Sequence, residues 1–457
     1  MEQQQKTIQV IEVYKVQPPQ EKPTSLPLTF FDLLWLRFPP TSRLFFYQFP
    51  HSTFDSLVPN LKHSLSLTLQ HFFHLSGNIT WPLHSPNPII NYVPGDAIYF
   101  TIANSNSNNF NHLCSNLCEA FQTQPLIPTL NITHEQASVL ALQLTLFPNF
   151  GFCIGITTHH AALDGKSSTM FMKSWAYTCS KLIQSPSSSL SLPQNLTPFF
   201  DRSVIEDPKG IHEIYVKEQL KHGGTNNRSL KVWETKNTKE ADAVRGLFEL
   251  TPLHIQKLKE YAQSKLKRKV QLSTFSVTCA YVLTCLVKAQ HIKANSVVFI
   301  FSVDCRPRLD PPIVATYIGN CVKGQMVPFE VNGLLENDGF IKSLEGIIEA
   351  LNRMEEDEVL SGAETWMSRM QDFKDIILLS VAGSPRFEVY SVDFGWGRPK
   401  KVDMTSIDKT GAFSLSESRN NNKGIEVSLT LNKPNMETFA HHFAHTLQSF
   451  GCFENVE

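Results

Sequence analysis

The sequence predicts an α/β protein built as a sandwich of two related domains, and three observations lead there. The chain has 457 residues, more than one ordinary hydrophobic core organises, so two domains are expected. Strand-like and helix-like segments follow one another in mixed order through two halves of similar length, with no internal repeat. The 32 phenylalanines fall mostly in short strand-like runs such as "SRLFFYQF" and "VVFIFSV". Such runs suit packed sheets, and an apolar pocket lining is their second use.

Taken in order, the early helix is marked by Leu61, Leu65, Leu69, Phe72 and Phe73 on one face, with a stop at Gly77. The pieces "PIINYV" and "AIYFTI" follow as strands. "LQLTLFPNFGFCIGIT" alternates apolar and polar side chains on both sides of a Pro-Asn turn, the pattern of a β-hairpin. Next, Met170, Phe171, Ser174, Trp175 and Thr178 recur at helical spacing, which predicts an amphipathic helix with Ser167 or Ser168 near its N-cap. Residues 184–198, rich in Ser, Pro and Leu without periodicity, form a linker. The second half opens with a strand over "VRGLFEL" and a helix begun by Thr251-Pro252. A buried helix over 274–287, the strand "SVVFIFSV", a helical region near 335–373, two more strands and a last helix complete it.

A formal charge of −1 gives no reason to expect a nucleic-acid partner. The N-terminus lacks a basic stretch followed by an apolar run, and the longest apolar run, 274–287, is too short to span a bilayer. The nine cysteines are an odd number without metal-like pairing. The expectation is a cytoplasmic, monomeric protein with reduced thiols, no bound metal and no membrane contact.

Two stretches carry candidate chemistry. In "ITTHHAALDGKSST", residues 156–169, His160 is followed by Asp164 and Gly165, with Lys166 and Ser167 just beyond. A neutral imidazole, ordinarily of pKa about 6.5, accepts a proton from an alcohol at cellular pH. The carboxylate four residues on either orients that imidazole or turns away and holds the loop through an arginine. In "VDFGWGRPKKV", residues 392–402, two glycines flank an indole. By itself this is a tight turn closed by a packed Trp396; its functional reading puts the indole N–H on a developing oxyanion. No G-x-S-x-G elbow, Walker loop or H-E-x-x-H occurs. His441 and His445 sit at helical i,i+4 spacing without a third ligand, an exposed face more than a metal site.

Together, "HHAALDG" and "DFGWG" resemble the plant BAHD acyltransferase family. "LPLTFFDLLWLRFPP", "HSLSLTLQHFFHLSGNI", "STFSVTCAYVLTCLVKA", "VDCRPRLDPP", "TYIGNC" and "VAGSPRF" are similar to that family's segments in the expected order. Within it, the chain resembles the branch that acylates sugar hydroxyls of anthocyanins, flavonoids and phenolic glucosides, often from malonyl-CoA. "TYIGNC" departs from that branch's Y-F-G-N-C in having Ile318 for phenylalanine.

The resemblance implies two chloramphenicol-acetyltransferase-like domains, residues 1–183 and 215–457, joined by a crossover at 184–214, with a tunnel at their interface. It implies acyl-CoA as co-substrate, malonyl-CoA above all, with no bound cofactor. His160 is its general base, and Asp164 points away to pair with Arg306. Asp393 and Trp396 map onto the D-F-G-W-G loop, Asp393 favoured as structural and Trp396 as the oxyanion donor. Ser273, Thr274, Ser384 and Arg386 are the matching coenzyme A contacts. Lys166 is the cation nearest in sequence to a malonyl carboxylate, unless it simply faces solvent. A hydroxycinnamoyl-CoA donor is the alternative within the class. "HHAALDG" also matches the H-H-x-x-x-D-G of peptide-synthetase condensation domains, against which "DFGWG" argues. An acyltransferase-like protein that binds ligand without turnover is the reading outside it.

Overall fold

The computed structural model describes residues 8–19, 22–49, 54–106, 109–185, 191–233, 242–356, 358–369 and 376–449. A six-stranded sheet runs in the order Ile8–Val16, Ile98–Ser105, Leu140–Phe147, Gly151–Thr158, Thr41–Gln48, Lys401–Met404. A seven-stranded sheet runs Val322–Glu330, Ser296–Asp304, Ile377–Gly383, Phe413–Glu417, Ile425–Asn432, Ala243–Leu250, Leu117–Glu119. A smaller four-stranded sheet holds Thr24–Pro27, Ile89–Tyr92, Asn78–Thr80 and Gln136–Ser138.

The predicted hairpin forms with Leu140 opposite Thr158 and Phe147 opposite Gly151, turning through Asn149 at φ 67°. Both strands are buried along their whole length, although their sequence alternates. One face packs on helices, and the other is covered by Phe110, Leu113 and Leu126. The polar side chains there find partners: Gln143 donates to the Pro125 carbonyl at 2.9 Å and to Thr145 at 3.0 Å. That satisfies groups whose burial alone would be unfavourable.

The helix after the hairpin is Gly165–Gln184, and Met170, Phe171, Ser174, Trp175 and Thr178 are all buried. Its N-cap corrects the sequence expectation: Asp164 holds that place, not Ser167 or Ser168. The Asp164 carboxylate accepts the Ser167 N–H at 2.8 Å, a stronger cap than a serine because it is charged. The expected helical region near 335–373 is broken into Val331–Leu335, Gly339–Glu356 and the short Trp366–Arg369, with 357 and 370–373 outside the described residues. Part of the expected linker, 186–190, also lies outside them.

Each half lends the other a strand. Lys401–Met404 pairs with Arg43–Phe46, and Leu117–Glu119 with Val244–Gly246. Buried charges clasp the crossing point. Asp403 lies 3.6 Å from Arg245 and 3.2 Å from Lys401, and Arg245 also pairs with Asp408. Arg245 further donates to Thr123 at 2.9 Å, and Lys401 to the Leu113 carbonyl at 3.0 Å. Two cations face two carboxylates, so the buried cluster carries no net charge.

Candidate active site

A cavity of about 2450 Å³ lies between the halves. His160 reaches it from the end of the strand Gly151–Thr158, whereas the adjacent His159 is wholly buried and lines no part of it. The alternation of a strand end accounts for this: successive side chains point to opposite faces. The His160 ring stacks flat on Trp35, centroids 4.0 Å apart and planes 4° apart, with Phe38 edge-on at 6.2 Å. Its Nδ1 is buried without a hydrogen-bond partner, which leaves Nε2 as the nitrogen toward the cavity. Burial lowers the His160 pKa to about 4, against the opposing influence of its own carbonyl, Asp164 and Asn320. The imidazole is therefore neutral across the cellular pH range, the form that accepts a proton.

Behind His160 a chain of polar contacts fixes its backbone. Asn320 Nδ2 donates to the His160 carbonyl at 2.8 Å and to Asp32 Oδ1 at 3.0 Å. Asp32 Oδ1 also accepts the Asn320 N–H at 2.8 Å, and its Oδ2 accepts the Thr29 N–H and hydroxyl, each at 2.9 Å. Three distant segments, "TFFD", the histidine motif and "GNC", are thus tied at one point. Gly319 is needed there: at φ +147° a Cβ would stand 2.0 Å from Arg202.

Asp164 faces away from the imidazole's reactive edge. Its Oδ2 pairs with Arg306 at 2.8 Å and accepts the Cys321 N–H at 3.3 Å. Arg306 also meets Asp304 at 3.0 Å and donates to the carbonyls of Tyr317 (3.1 Å) and Gly319 (3.0 Å). The two carboxylates push the Arg306 pKa up despite its burial.

Lys166 lines the cavity, but its ammonium pairs with Asp304 at 2.9 Å. Lys166 thus neither stands free beside the cavity nor simply faces solvent: Asp304 already engages it. Ser273, Thr274, Ser384 and Arg386 all line the cavity. Ser273 caps the helix Thr274–Gln290 by accepting the Ser276 N–H at 3.0 Å. Thr274 accepts from Lys259 at 3.2 Å, and Ser384 from the Arg386 N–H at 3.2 Å.

Asp393 and Trp396 do not line the cavity. Asp393 Oδ1 accepts the N–H groups of Gly395 (2.8 Å) and Gly397 (3.0 Å), closing its own loop. Trp396 packs edge-on to Phe49 and Phe152. Gly395 abuts Ser180 and Ile183, in the last turns of the helix that Asp164 begins. At 1.5 Å per residue, that is about 25 Å along the helix from the motif. Trp396 is not among the residues that line the cavity His160 faces.

The remaining candidates fall out of the chemistry. Cys153 and Cys179 are buried, and desolvation drives the Cys153 thiol well above its ordinary range and Cys179 up to about 12. His441 and His445 are exposed and stacked on the last helix, and among the described residues no cluster suits a metal ion. No helix among the described residues is long and apolar enough to cross a membrane. Sequence reasoning missed Trp35, Arg43 and Asn320. The first two sit in runs that looked like ordinary core, and Asn320 lay in a quoted segment without an assigned task.

The model of the Transferase family matches residues 6–446. Three curated relatives from Arabidopsis thaliana align over most of both chains. Malonyl-CoA:anthocyanidin 5-O-glucoside-6''-O-malonyltransferase is 38% identical, covering 96% of this chain and 98% of that one. Phenolic glucoside malonyltransferase 1 is 37% identical (95% and 97% covered), and agmatine coumaroyltransferase 36% identical (94% and 97%). Among solved structures, vinorine synthase superposes with a TM-score of 0.72 at 20% identity, covering 96% of this chain and 98% of its own, which supports the two-domain fold. The chain belongs to the Transferase family, that of the BAHD acyltransferases, and is an acyl-CoA-dependent O-acyltransferase.

Proposed function

We propose that the protein transfers malonyl from malonyl-CoA to a sugar hydroxyl of a phenolic, flavonoid or anthocyanin glucoside. The observation that carries the chemistry is the neutral, Trp35-stacked His160 facing the cavity. The acceptor hydroxyl gives its proton to His160 Nε2 as its oxygen attacks the thioester carbonyl. The tetrahedral intermediate collapses with expulsion of CoA thiolate, which takes the proton from the His160 imidazolium and returns the imidazole to its neutral form. No acyl-enzyme is required, because the thiolate is a good leaving group, and the buried high-pKa thiols offer no nucleophile.

Coenzyme A enters along Ser273, Thr274, Ser384 and Arg386, where a long helix presents its N-terminus to the cavity. That end of a helix suits anionic groups. Asp164 and Arg306 hold the histidine loop. Donor and acceptor classes rest on the two malonyltransferase relatives; the coumaroyltransferase relative supplies the second reading, a hydroxycinnamoyl-CoA donor. Incubation with malonyl-, acetyl- and coumaroyl-CoA against phenolic and flavonoid glucosides, read by product mass, tests both. A product gaining only a coumaroyl group overturns the malonyl reading, and no product from any donor overturns the enzyme reading.

A further inference from the structure

Arg43 lies on the strand Thr41–Gln48, directly opposite Ile156. Two residues along, Thr41 faces Thr158, their hydroxyls 2.8 Å apart, and His160 follows two residues beyond Thr158. Alternation in a sheet puts Arg43, Ile156, Thr158 and His160 on one face, and all four line the cavity. The Arg43 guanidinium donates Nη1 to Thr169 Oγ1 at 2.8 Å, and that hydroxyl donates to the Gly165 carbonyl at 2.7 Å. The charged group therefore sits within a helical turn of the H-x-x-x-D motif.

Its situation differs from that of the other buried arginines. Arg202, Arg245 and Arg306 each have a carboxylate within ion-pair distance, and Arg37 donates to three backbone carbonyls. Arg43 is 7% exposed and forms no ion pair among the described residues. Glu417, the carboxylate whose field reaches it, takes the Tyr390 N–H instead. Among the described residues only Thr169 accepts from its guanidinium, and Arg43 lines the cavity. Burial pulls its pKa down to about 10, against the raising influence of Glu417. Other cations lining the cavity are engaged or peripheral. Lys166, Lys173 and Arg306 have carboxylates, the buried Lys323 donates to the Val359 carbonyl at 3.0 Å, and Arg308, Arg353, Arg369, Arg386 and Lys423 are exposed.

We propose that Arg43 receives the free carboxylate of the acyl donor and sets the preference for a dicarboxylic acyl-CoA. The proposal rests on the malonyl reading above. A buried guanidinium is unfavourable alone and favourable once a carboxylate meets its planar fork. An acetyl group brings no such partner, and an aromatic acyl group would have to leave the cation buried and unpaired.

The test compares malonyl-CoA with acetyl-CoA in wild type, R43M and R43K, with melting temperatures of the free proteins. In R43M the malonyl-to-acetyl ratio of kcat/KM falls on the order of 10- to 100-fold, mainly through the KM for malonyl-CoA. Its melting temperature holds or rises, since an unpaired buried charge is replaced by an apolar side chain. A residue serving only to brace Thr169 would instead lower the melting temperature and slow both donors alike. R43K keeps the charge without the fork, and its ratio falls severalfold. A wild type that prefers malonyl-CoA with both variants retaining that ratio overturns the role of Arg43 and leaves the donor reading standing. A wild type without malonyl preference overturns both.

Discussion

Asp164 stands directly before Gly165 and Asp393 two residues before Gly395, yet they work at different ranges. Asp164 caps a 20-residue helix and reaches an arginine from the other half of the chain. Asp393 reaches only Gly395 and Gly397, residues of its own turn, which sit at φ +103° and +99°. The difference teaches that a carboxylate in a recognisable motif is defined by which donors it satisfies. One joins the halves around the imidazole; the other shapes a loop at the far end of the same helix.

The sharpest way to break this contrast is at the imidazole that the Asp164 motif surrounds. His160→Ala should lower kcat by on the order of 10²- to 10⁴-fold while coenzyme A still raises the melting temperature. A kcat within a few-fold of wild type would remove His160 as the base. His159→Ala acts on packing alone, because its ring never reaches the cavity.

Next in size, Asp164→Ala leaves Arg306 buried beside Asp304 alone and strips the helix of its cap. Loss of one partner of a buried pair costs about 3–5 kcal/mol, read as a lower denaturation midpoint together with lower activity. Asp393→Ala removes contacts within a partly exposed turn and should cost about 1 kcal/mol. Equal losses in the two variants would erase the distinction between them.

Acid separates the site's immediate surroundings from the rest. Burial lowers His74 to about 4, His159 to about 3 and His160 to about 4, against an unfolded value near 6.5. The unfolded chain binds more protons in that window, so stability is full above about 6.5 and falls as pH drops toward 4. Urea midpoints measured from pH 8 to 5 should decline below 6.5, and the acid limb of kcat/KM should lie well below 6.5. A limb at the ordinary histidine value would mean that His160 is solvated in the working enzyme.

The smallest effect sharpens the comparison from the other end. Trp396→Phe should leave kcat within about twofold and lower the melting temperature slightly, as expected of a packed ring. A loss near the 10²- to 10³-fold of a missing oxyanion donor would place the indole at the reaction after all.

Much of this fold was legible because it is periodic. Leu61, Leu65 and Leu69, the hairpin over 140–158 and the apolar run of Thr274–Gln290 announce themselves at local spacing. The histidine motif was legible too, since its residues lie within one short stretch. The exchanged strands were not: Leu117–Glu119 and Lys401–Met404 are too brief for any period, and their partners are far away in the chain. Arg43 hid for a related reason. Within "SRLFFYQF" it reads as part of an ordinary packed strand until the fold shows a cavity on that side. The placement of Trp396 depended on the length of a helix, which motif spacing does not reveal.

The exchange of strands bears on the order in which the molecule is made. Synthesis delivers Thr41–Gln48 early, but the strand that covers its free edge, Lys401–Met404, emerges only near the end. Until then the first sheet presents an open row of backbone donors and acceptors, a template for wrong pairing. The reverse loan has no such delay, because Leu117–Glu119 is waiting when Ala243–Leu250 arrives. A nascent chain halted before Lys401 therefore holds a histidine site whose supporting sheet is unfinished, and the strand that seals it is the last of that sheet to leave the ribosome.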